Sequence, residues 1–105
     1  LRNVAIITST YGDGEVPEMG VDFWEELKLS SIEMPNLRYG LIALGDKSHE
    51  IFCGAGKAIS KKLDELKCIK IIQNLECDGD TEGTYEWSIE FLEKLKLKAY
   101  YNDKV

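Results

Sequence analysis

The sequence predicts a small α/β domain in which helices cover both faces of a parallel sheet. Three short apolar runs, rich in β-branched residues, alternate along the chain with three amphipathic patterns. Continuous apolar runs are typical of strands buried on both faces, and alternating strands and helices favour right-handed crossovers. At 105 residues the chain is long enough for one core. The predicted architecture is therefore three-layered, α/β/α.

Each predicted strand ends in a loop of small polar or acidic residues. The first strand is predicted at Val4–Ile7, buried on both faces, and leads into a glycine-rich turn. The second is predicted at Leu41–Leu44, just before Gly45. A third and weaker run covers Ile69–Ile72 and ends near Asp78.

The three amphipathic patterns predict crossover helices, each with one apolar face toward the sheet. The face of the first, with Trp24 beside it, consists of Met19, Phe23 and Leu27. The face of the second consists of Ala55, Ile59, Leu63 and Leu66. Thr84 can cap the third helix, whose apolar face consists of Ile89, Leu92 and Leu95. We expect one domain over residues 1–97 and a C-terminal tail over residues 98–105.

The charge pattern and the cysteines exclude several classes of function. The net charge of −6 disfavours binding to nucleic acid or to anionic membranes, and no apolar run is long enough to span a bilayer. Cys53, Cys68 and Cys77 form no C-x-x-C pair, so neither a disulfide framework nor a zinc site is predicted. Reduced thiols fit a cytoplasmic protein.

Ligands of open parallel sheets bind beyond the carboxyl ends of the strands, so three loops carry the predicted chemistry. These are residues 9–19, 45–56 and 76–83. Two acidic stretches begin in these loops, which favours an acidic rim for a basic partner over acids that merely confer solubility. No spacing indicates a nucleophile with its base, and His49 is the only histidine. No metal site and no catalytic side chain is predicted.

The loops resemble those of one family. The segments TSTYGDGE at 8–15 with Pro17, LGDKSHEIFC at 44–53 and ECD at 76–78 resemble the flavodoxin-like FMN domains of diflavin reductases, such as the sulfite reductase flavoprotein, and the short-chain flavodoxins. The resemblance runs from Val4 to about Leu95. It implies a flavodoxin-like fold, noncovalent FMN, and electron transfer between a reductase and an acceptor protein.

The same resemblance implies which residues contact the cofactor. Tyr11 stacks on one face of the flavin ring and the second loop wraps the other, where His49 either stacks on the flavin or is an exposed loop residue. The implied cofactor-binding residues are Ser9, Thr10, Tyr11, Gly12, Leu44, Gly45, Asp46, Lys47, Ser48, His49, Glu50, Ile51, Phe52, Cys53 and Asp78. The acidic face for redox partners consists of Glu15, Glu18, Asp22, Asp78, Asp80 and Glu82.

One part of the family pattern has no counterpart in the sequence. The family's first two strands, with the Ser/Thr-rich loop that binds the FMN phosphate, would precede the segment that begins at Leu1. We therefore expect Val4–Ile7 to form an apolar sheet edge that invites self-association or pairing with another chain. Either residues that precede this segment supply the missing part, or another chain supplies it, or FMN binding is weakened. Two other functions stay open: a flavin-free interaction module, and a flavin-dependent quinone or nitro reductase.

Overall fold

A computed structural model describes residues 2–10, 15–17, 20–48 and 52–104, the last eight as backbone only. Strands and helices alternate along the chain, except that two strands follow one another before the last helix. The elements in chain order are β1 (Arg2–Ser9), α1 (Val21–Leu29), β2 (Leu37–Gly45), α2 (Gly54–Glu65), β3 (Ile69–Lys70), β4 (Leu75–Asp78) and α3 (Thr84–Lys104).

The sheet is parallel throughout its described ladders and is centred on β2. All eight residues of β1 pair with β2, from Arg2 opposite Leu37 to Ser9 opposite Leu44. Both β3 and β4 also pair with β2, β3 near its start and β4 along its last four residues. Since β1 occupies one side of β2 over its whole length, β3 and β4 lie on the other side. The predicted parallel sheet is confirmed.

The third predicted strand is divided in the structure, so its prediction as one strand at Ile69–Ile72 is wrong. Only Ile69 and Lys70 join the ladder as β3. The side chain of Ile72 turns into the core instead, and the carbonyl of Gln73 accepts a hydrogen bond from the indole of Trp87 at 3.0 Å. The Gln73 carbonyl therefore accepts from a side chain instead of from a neighbouring strand, and pairing with β2 begins again only at Leu75, the start of β4.

Helices α1 and α2 cover one face of the sheet. The face predicted for α2 is confirmed, because Ala55, Ile59 and Leu63 are all buried with Leu66 just beyond the helix. They pack against the side chains of β2 that point to this face, and the buried Leu27 of α1 joins the same cluster. For α1 the prediction is partly wrong: Phe23 is exposed, and the half-buried Trp24 packs against the core in its place.

A polar network joins β2 to α2, with Tyr39 and Ser60 buried and Asp64 and Lys70 exposed. The hydroxyl of Tyr39 donates to Asp64 Oδ1 at 2.7 Å and lies 2.9 Å from the hydroxyl of Ser60. The side-chain amide of Asn74 donates to the same Ser60 hydroxyl at 2.9 Å, and Lys70 pairs with Asp64 at 3.2 Å. Burial, the largest cause, raises the pKa of Tyr39 well above its ordinary value.

Helix α3 covers the other face of the sheet. Trp87 and Phe91 are buried there, with their rings stacked at a centroid distance of 5.0 Å, and pack against Ile42 and Ile72. The predicted face is partly wrong: Leu95 packs against this cluster, but the prediction followed aliphatic residues and ignored the two larger aromatic rings. Two predicted core residues, Ile89 and Leu92, are consequently exposed. With helices on both faces, the three-layer prediction is confirmed.

Strand β1 and the end of α3 depart from two further expectations. The prediction that β1 is buried on both faces is wrong, because its residues alternate between half-buried and exposed. The exposed face belongs to the side of the sheet on which α3 packs against residues of β2 and β4 and against Ile71 and Ile72. Helix α3 extends as far as Lys104, so most of the segment predicted as a C-terminal tail, residues 98–105, is helical. The lysine-rich and alanine-containing sequence after residue 93 favours helix.

Candidate functional site

The carboxyl ends of three strands meet at one edge of the sheet. Ser9 at the end of β1 lies opposite Leu44, and Gly45 at the end of β2 lies opposite Asp78 at the end of β4. Neighbouring strands lie about 4.8 Å apart, so the loops that follow begin side by side. The structure thus brings together the described parts of the three loops in which the cofactor-binding residues were predicted.

The first loop is tied to the start of α2 by Thr10. The backbone N–H of Ala55 donates to the Thr10 hydroxyl at 3.3 Å. The first amides of a helix have no partner within the helix, and Cys53 at the N-cap position makes no side-chain cap. Thr10 therefore caps α2 from a distant part of the chain. This structural role was not predicted, because a cap from 45 residues away leaves no local sequence signal.

The second loop closes tightly on the end of β2 at Cys53. The backbone of Cys53 is left-handed, with φ of 54°, and its side chain is completely buried. Its thiol lies 3.5 Å from the carbonyl of Ala43, and a Cβ at Gly45 would lie only 2.9 Å from that sulfur. Burial raises the pKa of the Cys53 thiol. The Cys53 thiol is therefore not available to contact a ligand.

Two carboxylates fix the described part of the second loop. The backbone N–H of Ser48 donates to Asp46 Oδ1 at 2.8 Å, which is an Asx-type turn. The N–H of Lys47 donates to Asp78 Oδ1 at 2.8 Å, and the N–H of Gly79 donates to the carbonyl of Gly45 at 2.7 Å. Asp78 was predicted as a cofactor-binding residue, and in this structure it joins the loop after β4 to the loop after β2.

An aromatic ring between two ammonium groups lies beside this loop. The Nζ atoms of Lys47 and Lys57 are 5.6 Å and 5.5 Å from the centroid of the Phe52 ring, within the range of cation–π attraction. Lys57 also pairs with Glu76 at 3.7 Å. The sequence analysis missed Lys57, although its position four residues after Cys53 on the first turns of α2 places it near this edge.

The predicted acidic face lies partly within the described residues. Its described members are exposed and form no ion pair in that part of the chain; they are Glu15, Asp22, Asp78, Asp80 and Glu82. Asp22 lies in the first turn of α1, Asp78 ends β4, and Asp80 and Glu82 follow it, so these four lie near the carboxyl edge of the sheet. The predicted site residues that lie outside the described residues are Tyr11, Gly12, Glu18, His49, Glu50 and Ile51.

The described residues fit a flavin ring better than they fit its phosphate. Two adjacent loops at one sheet edge, held by backbone hydrogen bonds, suit a flat ring that is bound mainly through loop backbone. A phosphate needs free amides at a helix start. Yet Asp22 and Glu86 stand in the first turns of α1 and α3, and Thr10 caps α2. Acids therefore disfavour an anion at the starts of α1 and α3, and Thr10 occupies the Ala55 amide at the start of α2.

Two other classes of site receive no support from the described residues. No group of three metal-ligating side chains occurs in the part of the chain that the structure describes. None of the described helices is long and apolar enough to cross a membrane. All three cysteines are buried free thiols.

Comparison with known proteins identifies related sequences over nearly the whole chain. The model of the flavodoxin family matches residues 2–91. The sulfite reductase [NADPH] flavoprotein alpha-component of Vibrio vulnificus is 38% identical over 96 residues, which are 90% of this chain. The protein of the same name from Bacillus subtilis is 38% identical over 83% of this chain. The chain spans only 16% and 15% of the length of these two relatives.

Solved structures show the same fold. A flavodoxin mutant from Pseudomonas aeruginosa matches with a TM-score of 0.79 and 28% identity, over 90% of this chain and 67% of that one. The flavodoxin of Streptococcus pneumoniae TIGR4 matches with a TM-score of 0.70 and 29% identity, over 90% of this chain and 66% of that one. The similarity therefore covers most of this chain and leaves roughly a third of each flavodoxin without a counterpart in it.

Proposed function

This chain belongs to the flavodoxin family, and we propose on that premise that it binds FMN at the carboxyl edge of its sheet and transfers electrons between a reductase and an acceptor protein. The observation that carries the proposal is the joining of three loops at that edge. Thr10 holds the first loop to α2, and Asp78 holds the third loop to the second. When bound, the flavin supplies the one- and two-electron redox chemistry.

The chain's own residues hold and orient the ring in this proposal. Tyr11 and the loop from Ser9 to Gly12 cover one face, and residues 44–53 cover the other. Backbone amides of these loops bond the polar edge of the ring without specific side chains. Asp46, Asp78 and the neighbouring acids place negative charge near the ring, and Lys47 places positive charge there. The balance of these charges sets the reduction potential.

Redox partners dock on the acidic face in this proposal. The docking face consists of the exposed carboxylates of Glu15, Asp22, Asp78, Asp80 and Glu82, together with Glu18, which lies outside the described residues. Asp22, Asp78, Asp80 and Glu82 lie near the carboxyl edge of the sheet. Negative charge around a site attracts a basic partner surface and speeds association at low salt. A reductase and an acceptor would use the same face in turn. The three reduced thiols fit a cytoplasmic location.

Flavin titration of the purified chain tests cofactor binding. Quenching of FMN fluorescence is expected on addition of the wild-type protein, since a ring stacked on an aromatic side chain loses its emission. Tyr11→Ala is expected to weaken binding by about tenfold, the effect of losing one stacking contact of about 1.4 kcal/mol. Tyr85→Ala, which removes an exposed tyrosine of α3, is the matched control. A folded protein that leaves FMN fluorescence unchanged contradicts the proposal and favours a flavin-free interaction module.

Comparison of FMN with riboflavin tests how this chain holds the cofactor. Acids disfavour an anion at the starts of α1 and α3, and Thr10 occupies one first-turn amide of α2, so residues 1–105 are expected to bind riboflavin and FMN with similar Kd values. A phosphate held by several backbone amides would instead favour FMN by more than about tenfold. Strong preference for FMN would show that this chain contains a phosphate site outside the described residues.

Electron transfer is tested with the bound flavin reduced chemically and mixed with a basic haem protein, such as a c-type cytochrome. The second-order rate is expected to fall steeply with ionic strength. The double change Asp80→Asn and Glu82→Gln is expected to lower the rate at low salt and to leave it unchanged at high salt. Rapid reduction of a small quinone in the absence of any protein acceptor would favour the quinone reductase function instead.

A further inference from the structure

Two acidic side chains of β4 connect that strand to the second loop and to α2. Glu76 and Asp78 lie two residues apart, so both point to the same face of the sheet, whereas Cys77 between them joins the cluster under α3. Asp78 Oδ1 accepts a hydrogen bond from the backbone N–H of Lys47 at 2.8 Å. Glu76 pairs with Nζ of Lys57, near the start of α2, at 3.7 Å. The end of β4 therefore holds both lysines.

The ring of Phe52 connects the side chains of these two lysines. Its centroid lies 5.6 Å from Nζ of Lys47 and 5.5 Å from Nζ of Lys57. Both distances are within the roughly 6 Å at which an ammonium group is attracted to an aromatic face. The contacts therefore form a closed circuit that begins at Asp78, passes through Lys47, the ring and Lys57, and returns to β4 at Glu76.

The position of the Phe52 ring is fixed from its other side by the core. The ring is half-buried and packs against the cluster that β2 forms with α1 and α2. The next residue, Cys53, is completely buried with a left-handed backbone, so the core also sets the direction in which Phe52 leaves the chain. The ring is thus a fixed support for two lysine side chains, which have many rotamers when they lack a partner.

The contact between Lys47 and Phe52 joins the two described ends of the second loop. Lys47 lies just after β2, and Phe52 lies just before α2. A loop that binds a flat ring through its backbone needs its ends in one arrangement, and ordering them only on binding would lower the affinity. The contacts around Phe52 order both ends before any ligand binds.

We propose that Lys47, Phe52 and Lys57 form a clasp that positions the second loop for the flavin ring, and that Lys57 is a positioning residue which acts from outside this loop. The inference rests on the proposed function, because the flavin is the ligand that the loop receives. The Phe52 ring serves the two lysines in this arrangement and not the flavin. The side chains of Lys57 and Glu76 are 54% and 35% exposed, so solvent limits the strength of the clasp.

Lys57→Met tests the clasp, because it keeps an apolar side chain of similar length and removes the ammonium group. Loss of one exposed cation–π contact is expected to weaken FMN binding about two- to fivefold in the fluorescence titration. Lys57→Arg keeps the charge and the contact with the ring, so it is expected to retain the wild-type Kd. In a Phe52→Leu background, Lys57→Met is expected to have no further effect on the Kd. The control Lys61→Met, at an exposed lysine one turn further along α2, is expected to bind FMN as the wild type does.

Amide hydrogen exchange of the flavin-free chain separates the clasp from the proposed function. The N–H groups of Lys47 and Ser48 are expected to exchange about two- to fivefold faster in Lys57→Met than in the wild type. Unchanged exchange would overturn the clasp, whether or not flavin binds. Faster exchange in a chain that binds no flavin would support the clasp and contradict only the proposed function. A Kd that Lys57→Met leaves unchanged, or that Lys57→Arg raises as much as Lys57→Met does, would overturn the positioning role and leave the proposed function intact.

Discussion

The close approach of α2 to β2 at Gly56 makes a quantitative prediction. A Cβ on residue 56 would lie 2.5 Å from the Cβ of Ala43 and 3.2 Å from a methyl group of Leu41. Carbon atoms pack best at about 3.5–4.0 Å, so Gly56→Ala must push α2 outward by about 1 Å. Neither Cβ has a rotamer through which to escape, which places the cost near the upper end of the usual 1–3 kcal/mol for overpacking.

The expected loss of stability in Gly56→Ala is about 2 kcal/mol. Alanine recovers up to about 1 kcal/mol of helix propensity, although residue 56 lies in the first turn, where the gain is smaller. Ala43→Gly alone is expected to cost about 1 kcal/mol, since glycine weakens a strand. The double variant should be no less stable than Ala43→Gly, because the second change removes the atom that the first would strike. The expected coupling energy is therefore about 2 kcal/mol.

Urea unfolding, followed by the fluorescence of Trp24 and Trp87, measures these differences. A loss of about 2 kcal/mol corresponds to a midpoint lower by about 1 M urea. The same displacement lengthens the bond between Thr10 and Ala55, so FMN affinity should fall in Gly56→Ala and recover in the double variant. A Gly56→Ala protein as stable as wild type, or stability losses that simply add in the double variant, would refute the reasoning.

Three further predictions concern local geometry. Lys67 follows α2 in a Schellman turn, with a left-handed φ of 69°. Lys67→Gly should therefore raise the free energy of unfolding, measured in urea, by about 1 kcal/mol. The control Lys61→Gly, within the helix, should lower it by about the same amount. Tyr39→Phe should lower the free energy of unfolding by about 1–3 kcal/mol near pH 7. Because burial raises the folded-state pKa of Tyr39, its contribution to stability should be complete below the unfolded-state pKa and decline above it. The urea midpoints of wild type and variant should therefore converge above about pH 10. Asp78→Ala should lose the bond to the Lys47 amide and weaken FMN binding in the fluorescence titration with little change in stability; an unchanged Kd would exclude a role for Asp78 in placing the second loop.

The sequence predicts the layers of this fold better than it predicts the faces of its elements. The buried face of α2 follows a regular aliphatic pattern and was predicted residue by residue. For α3 two aromatic residues, Trp87 and Phe91, outweigh the aliphatic pattern, since each buries more apolar surface. The exposed face of β1 carries the same residue types as a buried one. Its exposure depends on what packs beside it, which no local pattern encodes.

The site shows the same division between local and distant causes. The Asx turn of Asp46 and Ser48 follows from neighbouring residues and agrees with the loop that was predicted there. The hydroxyl of Thr10 on α2 and the carboxylate of Asp78 on the Lys47 amide join residues 45 and 31 positions apart. Such contacts arise from the parallel register of the strands. The family resemblance predicted that Thr10 and Asp78 belong to the site. The hydrogen bonds that they form depend on the tertiary fold, which the local sequence does not indicate.

The second loop is held by packing rather than by the preferences of its own residues. Cys53 adopts a left-handed backbone that costs a non-glycine residue about 1 kcal/mol or more. The sulfur fits under β2 only because Gly45 has no side chain, and the Cys53 carbonyl accepts the first bond of α2 from Lys57 at 3.0 Å. Burial of the thiol and capping of α2 by Thr10 offset the strain. The end of the loop is therefore fixed by contacts within the protein, which prearranges one side of the proposed ring site before any ligand binds.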